Sequence, residues 1–134
     1  MKPILTISAT LLLTSCTLVD SYMLAKFDAN EYQQVAEIRL AARHAKTECD
    51  DVTTAKANAL QVANQTEMLE AYTEHLPHNA DTHNSAQTLN QMAQGLADHY
   101  RRGDKVSPVF CKLKFEGVEH SAELIQNITG ARPR

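Results

Sequence analysis

The chain has no tryptophan, and phenylalanine and tyrosine together bring its aromatics to only 5% of 134 residues. Ligand pockets are lined mostly by apolar and aromatic side chains, so there is little material here for a deep one. Glycine and proline number four each. A fold of many short strands needs turn residues at close intervals, and this chain cannot supply them. A basic excess is missing as well: thirteen Lys and Arg face sixteen Asp and Glu, a net charge of −3. That balance speaks against nucleic acid or an anionic membrane surface as a partner. No apolar run reaches the ~18 residues of a membrane span. Serine and histidine are present, but no Gly-x-Ser-x-Gly elbow accompanies them. The expectation is a protein that is not an enzyme and carries no cofactor.

What the chain does have begins at its first residues. Met1-Lys2 supplies a positive start, and Ile4 to Leu13 is mostly apolar, interrupted by Thr6, Ser8 and Thr10. Ten helical residues cover only ~15 Å, too short for a stable span. A charged start, a short apolar stretch and small residues after it make a secretory signal peptide. Its tail, Leu13-Thr14-Ser15-Cys16, resembles the lipobox of bacterial lipoprotein precursors. The resemblance implies that the Cys16 thiol is diacylated, that the chain is cut just before it, and that the new amino group is acylated. Each buried acyl CH₂ contributes about 0.8 kcal/mol, so several chains together make a lasting membrane anchor. Thr17 follows the cysteine where an aspartate would imply retention in the inner membrane. The resemblance therefore implies an outer-membrane lipoprotein facing the periplasm. The layout that follows is a signal peptide over residues 1–15, a lipidated terminus and tether over 16–27, a helical periplasmic domain over 28–130 and a short tail over 131–134.

The domain reads as all-α. Asp28 is placed to cap a helix, with Glu31 three residues later in the manner of a capping box and Asn30 as the other candidate cap. No glycine or proline follows until after Leu76. Apolar or small residues recur at Val35, Ile38, Ala42, Ala45, Cys49 and Val52. After one extra three-residue step they resume at Ala55, Ala59, Val62, Thr66 and Leu69. The spacing predicts one long N-terminal helix of ~70 Å, the alternative being two helices broken near Asp50-Asp51. Pro77 stops it. A second helix starts near Asp81 or Thr82, carries Ala86, Leu89, Ala93, Leu96 and Tyr100, and ends at Gly103 as its C-cap. Ser107-Pro108 reads as an N-cap with proline at the first helical position. The third helix carries Cys111, Phe115, Val118, Ala122 and Ile125. The period-two alternation over Cys111 to Glu116 leaves a strand as the competing reading there. Two shorter helices thus fold back on a long one, the third either running on along its first half or reversing to complete a bundle.

Helix lengths bring Cys49 and Cys111 to one height, and in an exported chain that predicts a disulfide. His75, His78, Asp81 and His83 gather around the Pro77 turn and are weak candidates for a metal site, since their spacing matches no ligand motif. Asp50-Asp51 beside Glu48 reads as a solvated face rather than a catalytic pair. The alanine-rich stripe offers a different possibility. Small residues let a partner helix approach closely, so Val35, Ile38, Ala42, Ala45, Ala59 and Ala63 are the expected partner-binding residues, and a helical periplasmic or envelope protein the expected partner.

Lipobox, short mature chain, helical body and bridging cysteines are together similar to the outer-membrane subunit of phage spanins, which joins two membranes during lysis. That resemblance implies a structural or interaction role on the membrane, without nucleic acid. Two other classes remain open: a lipoprotein that blocks an outer-membrane protein, and one that handles metal through the turn histidines.

Overall fold

The structure, a computed structural model, describes residues 24–134; Cys16, the expected signal peptide and most of the expected tether lie outside the described residues. Four helices follow one another: α1 (Ala29–Thr47), α2 (Val52–Glu74), α3 (Ala80–Arg101) and α4 (Pro108–Gly130). There is no strand among the described residues. All three connections are short, so consecutive helices run antiparallel. α1 packs against α2 and α4, and α3 packs against the same two. The result is an up-down-up-down four-helix bundle about 33 Å long.

The single long helix expected from Asp28 to Leu76 is therefore two helices, broken where the stripe changes phase. Asp51 is the reason. Its carboxylate accepts a 2.7 Å hydrogen bond from the Thr54 amide and caps α2. Aspartate side chains compete with the helix for backbone donors, so an Asp-Asp pair can end one helix and start another without glycine or proline. The Glu48 amide bonds Ala45 and the Asp51 amide bonds Glu48, closing the turn. Val52, which a continuous stripe would bury, is 65% exposed.

The other boundaries follow their caps. Asp28 accepts from the Glu31 amide at 2.8 Å and starts α1. Ser107 accepts from Phe110, with Pro108 in the first turn of α4. The strand reading over Cys111 to Glu116 gives way to helix. α3 ends in a Schellman motif: Gly103 takes φ 75°, its amide bonds Tyr100, and the Asp104 amide bonds His99. The core is built from the predicted stripes, with Val35, Ile38, Leu69, Leu89, Leu96, Phe115 and Val118 all at most 1% exposed. Alanines at 42, 55, 59, 63, 86, 93, 97 and 122 fill the spaces between them and let four backbones pack closely.

Cys49 and Cys111 form the predicted disulfide, with Sγ atoms 2.04 Å and Cα atoms 5.8 Å apart. They meet by a different route from the one that helix lengths suggested. Cys49 sits in the turn between α1 and α2, and Cys111 in the first turn of α4, at the same pole of the bundle. α4 reverses beside α3 and covers the α1 stripe from there.

Candidate interaction face and the tether pole

At the pole where the chain enters, Glu31 is fully buried and does not close a capping box. Its carboxylate instead meets Arg132 at 2.5 Å and accepts from the Asn79 side-chain amide at 3.1 Å. Arg132 also donates to the Asn79 carbonyl oxygen and to the Thr82 hydroxyl. One guanidinium thus ties the C-terminal tail to the first turn of α1 and the start of α3. Burying a carboxylate is tolerable only with such pairing, because the desolvation cost is several kcal/mol per ion. Around this node the Phe27 amide bonds the Pro133 carbonyl at 2.9 Å, and Tyr72 donates to Asp28 at 3.0 Å. Phe27-Asp28 and the C-terminal tail are pinned side by side. A cleft of about 720 Å³ opens there between Leu24–Asp28, Leu76–Asn79 and Arg132–Arg134.

The turn histidines lie at the same pole but do not converge. His75 caps the end of α2, His83 shares a hydrogen bond with Thr73, and Asp81 is exposed in the first turn of α3. Among the described residues no three His, Cys, Asp or Glu side chains gather closely enough to hold a metal ion.

The expected partner stripe has to be corrected. Val35, Ile38, Ala42, Ala45, Ala59 and Ala63 are all at most 2% exposed. They are core residues of the bundle, because the break at Asp51 turns the rod into two helices that α4 and α3 cover, α4 packing on α1 and α3 on α2. No partner can reach them while the domain is folded.

A different apolar surface is open. Eight large apolar side chains are exposed among the described residues, and four of them belong to α4: Val109 (68%), Leu113 (62%), Leu124 (51%) and Ile128 (57%). Helical spacing sets them on one side of α4. Val109 and Leu113 form one i, i+4 pair and Leu124 and Ile128 another, with His120 between them. They lie on the side away from the buried row of Cys111, Phe115, Val118, Ala122 and Ile125, with the exposed Glu116, His120 and Asn127 among them. The seam with α1 is bound by Arg43 and Lys46 on Glu119, both at 2.8 Å, and by Arg39 on Glu123 at 3.2 Å. The hydrogen bond from Lys46, then that from Arg43, holds the Glu119 carboxyl below the usual glutamate range. On the other side Met92 of α3 lies against Gly117 and accepts from Ser121. Both seams are closed, and α4 presents its outer row to solvent. The sequence carried a sign of this in Leu113, Leu124 and Ile128, which fit no buried stripe.

No protein-family model, curated protein or solved structure matches the chain.

Proposed function

We propose that this protein is a non-catalytic, lipid-anchored interaction module of the outer membrane, held at Cys16 and docking a helical partner through the outer face of α4. The observation that carries the docking half is the row of Val109, Leu113, Leu124 and Ile128, exposed along ~29 Å of helix. Four large apolar side chains left in solvent on one side of a single helix are the surface here best suited to meet a partner. The anchor half rests on Leu13-Thr14-Ser15-Cys16, twelve positions before the cap of α1. A tether of that length spans at most ~40 Å when extended, which keeps the bundle near the membrane. No helix among the described residues is long and apolar enough to cross it. A spanin-like role draws on the same features, but a ~33 Å bundle has less than half the reach of the ~70 Å rod. In that role the partner supplies the span.

Two variants test the two halves. Cys16→Ser should abolish palmitate labelling of the chain; label that persists refutes the anchor. Leu113→Glu with Leu124→Glu should leave the thermal midpoint within a few degrees, both sites being solvent-facing, while abolishing co-purification of the α4 partner. A double variant that keeps its full set of contacts refutes the docking face.

A further inference from the structure

We infer that the bundle is built of two units and opens between them: the α2–α3 hairpin is a hinged arm, latched onto an α1–α4 pair that stays closed. The inference goes beyond the α4 docking face and does not depend on it. The distribution of packing carries it. α1 packs most broadly on α4, and α2 on α3, whereas the α1–α2 and α3–α4 seams are thinner. The clefts follow the division. One of about 190 Å³ lies between Ala41, His44 and Ala45 of α1 and Asn58, Gln61 and Val62 of α2. Two more, of about 720 and 330 Å³, lie at the pole where the chain enters. Both have Leu24, Arg132 and Pro133 on one side and His78 and Asn79 of the α2–α3 turn on the other. Close packing therefore holds within each unit and lapses along the plane between them.

Each unit is held by bonds of its own. Within the pair, Arg39 donates to Gln126 at 2.9 Å, Arg43 and Lys46 meet Glu119, and the Cys49–Cys111 bridge closes one end covalently. Within the arm, Thr66 donates to Asn90 at 3.0 Å, Asn90 to Glu70 at 2.6 Å and Gln94 to the Ala63 carbonyl at 3.3 Å. Among the described residues, the hydrogen bonds that cross between the units gather at the two poles, apart from Ser121 on the Met92 sulfur. The disulfide pole is the hinge, because both chain connections, at 48–51 and 102–107, lie there. The entry pole is the latch. There Tyr72 donates to Asp28, Asn79 to Glu31, and Arg132 to Asn79 and Thr82. Glu31 and Arg132 both belong to the α1–α4 unit, so the arm can leave without parting the two buried charges. Asp28 lies where the chain enters the fold, so a load on that segment reaches the latch directly. The arm also has the leaner core: six of the nine buried alanines are Ala55, Ala59, Ala63, Ala86, Ala93 and Ala97. Alanine buries little apolar area, so the arm comes free before the pair does. Most helical stability in proteins comes from packing, so the amides of a released arm exchange with solvent.

The test is native-state hydrogen exchange of the purified full-length protein in detergent, read by mass spectrometry with the disulfide intact and denaturant well below the unfolding midpoint. The buried amides of α2 and α3 should exchange through one common opening, at least about tenfold more frequent than that of α1 and α4. Tyr72→Phe with Thr82→Val removes two bonds of the latch at nearly constant shape. The double variant should speed exchange about tenfold throughout α2 and α3 and leave α1 and α4 unchanged. One shared rate for all four helices overturns the inference, as does separate opening of α2 and α3. Acceleration confined to the turns around positions 72 and 82, or shared equally by α1 and α4, also overturns it. So does a double variant that exchanges like the parent, because those contacts then latch nothing.

Discussion

Replacing Arg132 by methionine should be the most damaging single change outside the apolar core. Glu31 is 0% exposed and the Arg132 side chain 9%. Removing the guanidinium strands a buried carboxylate and leaves the Asn79 carbonyl and the Thr82 hydroxyl without the donor they share. Breaking a buried pair by deleting one partner costs about 3–5 kcal/mol. For a domain of this size each kcal/mol lowers the thermal midpoint by about 4 °C, so the expected drop is about 12–20 °C, read by circular dichroism at 222 nm with the disulfide intact. A second variant separates the stranded charge from simple fraying of the tail. Adding Glu31→Gln removes the uncompensated charge and should restore part of the loss, so the double variant is more stable than Arg132→Met alone. A drop under ~4 °C, or a double variant that loses the sum of both single effects, would refute the claim that this node pins the two ends of the chain.

Three further outcomes follow from the same structure. The disulfide closes a loop with a sequence separation of 62, worth about 4 kcal/mol in the chain-entropy account; Cys49→Ala with Cys111→Ala should lower the midpoint by about 16 °C, and an unchanged midpoint would contradict it. Ala42→Leu inserts atoms into a site that is 0% exposed and should destabilise by about 1–3 kcal/mol in urea unfolding, whereas a surface alanine would tolerate the change. Glu119, Asp51 and Asp104 are all held below their ordinary values, by Lys46 and Arg43, by the Thr54 amide, and by His99 and Arg102 respectively. Folded values below unfolded ones mean that their contribution is present at neutral pH and lost as pH falls through the folded values, so the midpoint should decline below about pH 4.5, the ordinary glutamate value; a midpoint that rises on acidification would contradict those pairings.

The features legible in the sequence were those that a few neighbouring residues determine. Asp28, Ser107-Pro108 and Gly103 mark helix ends through bonds made within one turn, and the buried rows of α3 and α4 are plain periodicity. The break at Asp51 is also local, but its signal was a phase slip and an aspartate pair, without the glycine or proline that usually ends a helix. Taking the slip for a continuous rod had a second consequence. It left Ala42, Ala45, Ala59 and Ala63 looking uncovered, when small residues at those positions are what a four-helix core needs for close packing. Glu31 and Arg132 stand 101 positions apart, and nothing local joins them. Leu113 lies within a period-two alternation that resembles a strand, and this masks its i, i+4 pairing with Val109 on the outer side of α4.

The docking face is most directly examined by site-specific photo-cross-linking in intact cells. The probe is placed in turn at Leu113 and Leu124 on α4, and at the exposed polar positions Glu67 on α2 and Gln91 on α3. Adducts of one defined mass from both α4 positions, with none from α2 or α3, are the predicted result. Adducts from Glu67 or Gln91 while both α4 positions stay silent would contradict it.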